Sequence, residues 1–378
     1  MRTNRRSVLA VVAALALSAG AVACGGDDGG SGDSGGGSSS KGSSGGGGEK
    51  SGTIALLLPE TKTTRYEEQD KPLFEAKVQA LCPDCKIIYQ NANQDAARQQ
   101  QQAEAAITNG AKVLVLDAVD AKAATATVNR AKQSNIPVIA YDRLISGAPI
   151  SYYVSFDNVR VGKLQAQALL DKLGDAAGKQ IVMLNGSPTD PSSGDYKKGA
   201  HEVLDPSGIK IAREYDTPDW SPDKAQQETE QAITAIGKDK ISGVYSANDG
   251  MIGGAIAAMK SAGMDPKTIP TTGQDSEVAA IQRILTGEQY MTIYLAIKKQ
   301  AESAAELAVD LVKGTQPPAS LVNNKVDNGT GEIPTVLLDP TAVTKENVKD
   351  TIIADGFHSA ADICTGEFAS ACTEAGIQ

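Results

Sequence analysis

Thr53-Ile54-Ala55-Leu56-Leu57-Leu58-Pro59-Glu60 is the stretch on which the reading of the fold turns. From Ile54 to Leu58 every residue is apolar. A strand with one wet face would alternate; an unbroken short run suits a strand covered on both faces, as in a parallel sheet. Pro59-Glu60 ends it. Beyond it, Phe74–Leu81 continues a helix, Ile87–Tyr89 reads as a strand, and Ala96–Thr108 is a helix that stops at Asn109-Gly110. Val113–Leu116 is a strand, Ala121–Gln133 a helix and Val138–Ala140 a strand. Strands alternating with helices imply right-handed crossovers and a parallel sheet.

A second series follows. Helix Val159–Leu173 leads to strand Ile181–Leu184, a helix near Tyr196–Leu204 to a strand around Ile209–Glu214, and helix Lys224–Ile236 to strand Val244–Ser246. Helix Ile252–Ala262 and strand Thr271–Gly273 complete it; past Met291 come one more strand, a long helix over Ala301–Val312 and a tail. The expectation is an α/β chain of two tandem lobes, each about one domain in size.

Composition narrows the function. The chain has 378 residues, 41% of them apolar, and a net charge of −10. That is ample for two packed cores, while the acidic balance argues against nucleic acid as a partner, since phosphate binding needs a basic face. Two histidines make a His-rich metal site a poor reading, and no cofactor is expected. The first residues read as an address. Arg2, Arg5 and Arg6 precede an apolar stretch from Val8 to Ala19, then small residues lead to Ala21-Val22-Ala23-Cys24. This is the order of an export signal over residues 1–23, with an apolar run too short for a membrane span. Cys24 resembles the lipidation site of a bacterial lipoprotein, with Ala21 where Leu is commonest. Residues 24–51 are almost all Gly, Ser, Asp and Lys, a composition expected to stay disordered. As a coil it would reach roughly 25–30 Å, and the body begins near Gly52. The expected location is therefore the outer face of the cell membrane, held by lipid alone.

Four further cysteines fit export. Of their three possible pairings, proximity favours Cys82–Cys85 and Cys364–Cys372. A redox-active Cys82-Pro83-Asp84-Cys85 would follow a strand and open a helix; this one follows a helix and precedes a strand.

Ligands of open parallel sheets sit beyond the carboxyl ends of the strands. Here those ends carry Pro59-Glu60 leading to Arg65-Tyr66, Tyr141-Asp142-Arg143, Asn185-Gly186-Ser187-Pro188-Thr189-Asp190, Ala247-Asn248-Asp249 and Gln274-Asp275. The lone Trp220 lies in a Pro-bracketed loop, Pro218-Asp219-Trp220-Ser221-Pro222. This inventory suits a neutral polyol. Each buried hydroxyl needs a partner, planar Asp, Asn and Arg groups supply them in pairs, and a sugar's C–H faces pack on aromatic rings. Asn248, Asp249 and Asp190 also suit helix N-caps, and Trp220 could instead anchor its own loop.

The chain from Gly52 to about Phe357 resembles type I periplasmic binding proteins of sugar ABC importers, in particular the D-xylose-binding and multiple-sugar-binding family. The stretches that carry the likeness are Thr63-Thr64-Arg65-Tyr66, Ile139-Ala140-Tyr141-Asp142-Arg143, Tyr153–Asn158, Gly186–Asp190, Ser246–Asp249, Thr272–Asp275 and Ile353–His358. The resemblance implies two Rossmann-like lobes with a sugar in the cleft, joined by three crossings placed near Ser155, Thr292 and Ser320. Residues 52–155 and 292–320 would form the N-terminal lobe, and 156–291 and 321–378 the C-terminal one. It implies that Tyr66 and Trp220 sandwich a monosaccharide, with polar contacts from Arg65, Asp142, Arg143, Asp190, Asn248 and Asp275. Ser192 stands where a second polar residue, usually Asn, is expected. Leu295 stands where the family has Lys, with Lys298 one helical turn away. A monomer partnered by an ABC permease follows from the same likeness.

Rival functions are weaker. A sensor presenting a sugar to a membrane receptor would look the same in sequence. A hydrolase lacks support: Ser187 is not in a G-x-S-x-G elbow, His201 and His358 have no evident triad partners, and carboxylates such as Asp142 and Asp275 explain binding equally well. A sugar-responsive repressor would need a DNA-binding unit where the export signal stands. Gly250, Gly253 and Gly254 do not make G-x-G-x-x-G and suggest close helix–sheet packing, and Asp327–Glu332 lacks calcium-loop spacing and reads as a turn.

Overall fold

The computed structural model describes residues 51–377. The export signal, Cys24 and all of the expected linker but Ser51 lie outside the described residues. The first series comprises β1 (Thr53–Leu58), α1 (Lys71–Leu81), β2 (Lys86–Asn91), α2 (Ala96–Thr108), β3 (Ala111–Leu116), α3 (Ala124–Gln133), β4 (Val138–Tyr141) and β5 (Tyr152–Phe156). The second comprises α4 (Asn158–Leu173), β6 (Gln180–Asn185), α5 (Pro191–Leu204), β7 (Lys210–Asp216), α6 (Pro222–Ile236), β8 (Gly243–Ser246), α7 (Asp249–Ser261) and α8 (Val278–Thr286). Then come β9 (Met291–Tyr294), α9 (Ile297–Lys313), β10 (Asn324–Asp327), β11 (Glu332–Leu338) and β12 (Thr341–Thr344).

The apolar run has the expected cause. β1 is a central strand of a seven-stranded sheet ordered β10-β11-β5-β4-β3-β1-β2, parallel except for β10. Leu56 stands opposite Tyr89 of β2 and Val115 of β3. Ile54, Leu56 and Leu58 pack with Phe74 and Val78 of α1 and Ala305 of α9, while Ala55 and Leu57 pack with Ala103 and Ala106 of α2 and Val128 of α3. A fully buried Leu or Ile contributes about 1.5–3 kcal/mol, so one polar substitution on either face would be felt.

The second sheet is smaller: β7-β6-β8, all parallel. The stretch Thr271–Gly273, expected as a strand, joins it only through a single bridge from Thr271 to Val244. Its outer edge is instead taken by β9, whose Met291 and Ile293 N–H groups donate to the Thr271 and Gly273 carbonyls. β12 then pairs antiparallel with β9.

The tail corrects the lobe boundaries. β11 pairs in parallel with β5, and β10 forms a hairpin with β11, so residues 324–338 belong to the first sheet, not to the second lobe. The third crossing therefore falls between Leu338 and Thr341 rather than near Ser320. The second lies in the first turn of α9, not at Thr292: β9, Leu295 and Ile297 pack in the second core, while Ala301–Val309 of α9 packs in the first. Asp327–Glu332 is the β10–β11 hairpin turn, with the Gly329 N–H on the Asp327 carboxylate.

Helix starts follow their caps. α3 begins at Ala124 rather than Ala121, because Ala121–Ala123 form a turn in which Asp120 accepts from the N–H groups of Lys122 and Ala123. Asp190 caps α5 and Pro191 fits its first position, so that helix starts before Tyr196. Gly254 serves helix–helix rather than helix–sheet packing, because a Cβ there would sit 2.1 Å from the Pro222 carbonyl oxygen of α6. The sulfurs of Cys82 and Cys85, and of Cys364 and Cys372, lie at bonding distance, the pairs that proximity favoured. Among the described residues no helix is long and apolar enough to cross a membrane.

Candidate functional site

On the first lobe the site is a charge network. Arg65, just before α1, is buried with its Nε donating to Asp70 Oδ2 at 2.9 Å and its Nη2 to Asp70 Oδ1 at 2.8 Å. Asp70 is held in turn by the Tyr141 hydroxyl. At the end of β4 the backbone turns left-handed at Asp142, with φ 63°, a conformation Asp tolerates better than most residues. That turn breaks the alternation of the strand, so Asp142 and Arg143 both line the same cleft. It is pinned from behind: the Asp142 carbonyl accepts from the Ser155 and Tyr153 hydroxyls, and its N–H donates to Val154. Tyr66 donates its hydroxyl to Asp142 Oδ2 at 3.3 Å and accepts from Arg143 Nη2 at 3.4 Å.

On the second lobe helix starts and one aromatic do the work. Asp190 caps α5 through the Ser192 N–H, and Asn248 caps α7 through the Met251 N–H; each also faces the cleft. Trp220 follows Asp219 in left-handed backbone, with φ values of 60° and 53°. Its indole N–H donates to Asp190 Oδ2 at 3.2 Å, and its ring meets Tyr196 edge-on. Gly186 makes this placement possible, since a Cβ there would stand 1.9 Å from the indole ring. Asp275 too is left-handed, at φ 95°, and Gln274 donates to its carboxylate. Buried Gln165 ties the loops after β8 and Gly273 together by donating to the Ser246, Ala247 and Gly273 carbonyls.

The two sides meet. Arg143 Nε lies 2.8 Å from Asp190 Oδ2 across the cleft, an ion pair by distance without an aligned hydrogen bond, and 3.3 Å from buried Asp117 on its own side. Thr189 donates to the Val119 carbonyl, and Gln94 reaches the Asp219 carbonyl. The cavity left between the two sides is small, about 20 Å³, room for about one water molecule. A wider groove lies at the opposite strand ends of the second sheet, lined by Lys172, Lys179, Pro270 and Tyr290. Its charged lining is mostly lysine, Lys172, Lys179, Lys267 and Lys345, with the single carboxylate of Glu346.

Of the residues named from sequence, Arg65, Tyr66, Asp142, Arg143, Asp190, Trp220, Asn248 and Asp275 all line this one cleft. Ser192 does not: its hydroxyl accepts from Asn158, behind the cap. Leu295 is buried in the second core and Lys298 is exposed, so neither brings an ammonium group to the cleft. Thr63, Tyr196 and Gln274 line the cleft without having been singled out. The signal was there for two of them, since Thr63 and Gln274 adjoin residues that were named. Asp70 and Gln300, which hold Arg65 and Asp142 from behind, carried no signal; Asp117, beside Arg143, follows the β3 run directly and had the same strand-end signal, but was passed over.

Burial shapes the charges. It pushes Asp275 up to about 7, opposed by Arg65 and reinforced by Asp249 and Asp142. Asp249 rises to about 6 and Glu277 to about 8 for the same first reason, desolvation. Asp142 is different: burial works against its charge, but Arg65 and the Gln300 amide outweigh it and hold it below the usual carboxylate range. One lobe thus offers a fixed anion between two guanidinium groups, the other the buried carboxyl of Asp275, raised to about 7. Hydrogen-bond donors and acceptors of both kinds face one small space, beside an indole.

Comparison with known proteins agrees with this layout. Residues 54–316 match the family model of the periplasmic binding protein domain. The chain is 37% identical over 318 residues to the D-xylose-binding periplasmic protein of Escherichia coli (strain K12), covering 83% of this chain and 93% of that one. It is 31% identical over 327 residues to the multiple sugar-binding periplasmic receptor ChvE of Rhizobium radiobacter, covering 82% and 91%. Among solved structures, an ABC transporter solute-binding protein from Clostridium phytofermentans with bound β-D-glucose superposes with a TM-score of 0.74 at 26% identity, covering 82% of this chain and 99% of that one. These relatives are binding proteins, not enzymes, and with a family match across most of its body and a parallel-sheet fold to go with it, the chain belongs to the periplasmic binding protein family.

Proposed function

We propose that the protein is a lipid-anchored extracytoplasmic receptor that binds one monosaccharide, a xylose-like pentose or a hexose, and delivers it to an ABC permease. The observation that carries this reading is the convergence of Arg65, Asp142, Arg143, Asp190, Asn248 and Trp220 from two lobes on one small cleft. A sugar ring needs a partner for each hydroxyl and an apolar surface for its C–H face; the cleft supplies both. Binding would close the lobes about the three crossings, and the ligand shifts that equilibrium only by its preference for the closed form. The D-xylose and multiple-sugar names of the relatives support the ligand class. The loss of the family ammonium at Leu295 leaves Arg65 and Arg143 as the cations beside the neutral and anionic partners that select among sugars, because specificity follows from which hydroxyls are paired. Cys24 would carry the lipid, with the Gly/Ser stretch as a leash.

The test is thermal unfolding of the purified protein against xylose, glucose, galactose, arabinose, ribose and fucose. A ligand at 100 times its dissociation constant adds about 2.7 kcal/mol. With roughly 2.1 cal/mol/K of unfolding entropy per residue, that raises the melting temperature by about 4 °C. A shift with one or two sugars is expected; none with any, in folded and ligand-free protein, overturns the sugar reading. Cys24→Ala should release the protein from the membrane fraction, and its retention there overturns the anchor.

A further inference from the structure

We propose that Gln300 is a positioning residue for ligand binding, its single side-chain amide setting both the cation Arg65 and the anion Asp142 from the helix that makes the second lobe crossing. The inference rests on the sugar-binding reading and extends it to a residue that does not face the cleft.

Gln300 lies in the first turns of α9 and is fully buried. Its Oε1 accepts from Arg65 Nη2 at 2.8 Å, and its Nε2 donates to Asp142 Oδ1 at 2.9 Å and, at 3.4 Å, to the Val154 carbonyl. The donors of Arg65 can then be followed one by one. Nε and one Nη2 hydrogen go to Asp70, and the other Nη2 hydrogen goes to Gln300. Only the Nη1 hydrogens remain for a ligand, and Nη1 stands 3.5 Å from Asp142 Oδ1. The carboxylate of Asp142 is likewise committed, Oδ1 to Gln300 and Oδ2 to Tyr66. The guanidinium and the carboxylate are thus held side by side, each with lone pairs or hydrogens to spare toward the cleft.

An amide suits this place for a chemical reason. It offers one acceptor and one donor at a fixed spacing and carries no charge. A carboxylate there would keep the acceptor for Arg65 but set a negative oxygen against Asp142. A thioether would fill the volume and serve neither neighbour. The position also matters: the crossing lies in the first turn of α9, so the residue that sets the charged pair is carried by the element that makes the crossing.

Gln300→Met and Gln300→Glu test this, with D-xylose and D-glucose as probes in titration calorimetry of the purified protein between pH 5 and 8. Each variant is expressed as a ratio to the parent at the same pH, and each is checked by thermal unfolding. The charged and titratable groups facing the new carboxylate are Arg65 and Asp70 ahead of α1, Tyr66 beside them, and Tyr141 and Asp142 at the end of β4. Gln300→Met should bind about tenfold or more weakly at every pH, the scale for hydrogen bonds to charged groups. Gln300→Glu should lose about as much at pH 8 and recover to within about threefold of the parent at pH 5, because two adjacent carboxylates come to share one proton and so regain a donor. A residue that merely fills space would show no such recovery. A parent that binds neither is titrated with whichever sugar of the thermal screen raises its melting temperature; if none does, the sugar reading and this inference fall together. A parent that binds, with a Gln300→Glu ratio flat across the range or a Gln300→Met ratio near one, overturns the inference alone.

Discussion

The two walls of the cleft are built on different principles. On the first lobe, Arg65, Asp142 and Arg143 are charged side chains whose positions are set by other buried side chains: Asp70, Tyr141, Gln300 and Asp117. On the second, Asp190 and Asn248 are set by the backbone, as N-caps of α5 and α7, and Trp220 by the absence of a side chain at Gly186. Side-chain networks give strong, directed charges but fail together when one member is removed. Backbone-set groups are weaker and more independent, since each cap is satisfied within a few residues of itself. The asymmetry predicts that substitutions on the first wall cost both stability and affinity, while those on the second cost mainly affinity.

Arg143→Ala should give the largest effect. It leaves Asp117 and Asp190 without the cation that opposes their burial. Breaking a buried pair in this way costs about 3–5 kcal/mol, read as unfolding free energy in urea, and sugar affinity should fall at least tenfold. Both acids are already pushed upward by burial, so the stability deficit should shrink as pH falls and they take up protons. Adding Asp117→Asn should restore part of the stability and none of the affinity. An Arg143→Ala protein as stable as the parent would remove the distinction between the walls.

The carboxyls of the second wall give the next effect. In the folded protein Asp275 sits at about 7 and Glu277 at about 8, both raised first by burial; unfolded, both would titrate near 4. The folded state therefore holds more protons between those values, and unliganded stability must fall as pH rises through this window. The contribution is fully present below about pH 4 and lost as pH passes about 7 for Asp275. Asp275→Asn should flatten the stability profile between pH 5 and 7, by at most about 1.4 kcal/mol per pH unit. Stability rising over that interval in the parent would contradict the charge state assigned here.

The same division explains what could be read from the chain. β1 betrayed itself because a strand buried on both faces cannot carry a polar residue, and Asp142, Arg143, Asn248 and Asp275 because polar groups at strand ends are visible as punctuation after an apolar run. The hairpin of β10 and β11 was missed because Asn324–Asp327 is polar and mostly exposed, so neither a run nor a clear alternation marks it; its place in the first sheet is set by pairing with β5, a contact far away in sequence. Gln300 and Asp70 were missed for a related reason. They are polar residues on helices, which in sequence look like solvated faces, and only the fold turns them inward. Ser192 shows the reverse error: a residue placed in the cleft by likeness to a family lies one layer behind it.

Trp220 tests the second wall directly. Trp220→Ala should weaken sugar binding at least tenfold, because an aromatic face against C–H groups is the main apolar contact the cleft offers. Gly186→Ala should approach the same loss, about tenfold, by pushing the intact indole aside, with a smaller change in stability than Arg143→Ala. If Gly186→Ala binds normally, the indole has room to move and its placement is not set by that close approach.

Ser192→Ala carries the smallest expected effect and the sharpest choice. The link from residue 192 to Asp190 runs through its backbone N–H, which alanine keeps. What is lost is the acceptor for Asn158, a neutral hydrogen bond worth about 1 kcal/mol of stability. Calorimetry should therefore find sugar affinity within about threefold of the parent, alongside a slightly lower melting temperature. A tenfold loss of affinity at unchanged stability would mean that the hydroxyl turns into the cleft when sugar binds. The second wall would then gain a side-chain contact, and the backbone would no longer account for its polar groups.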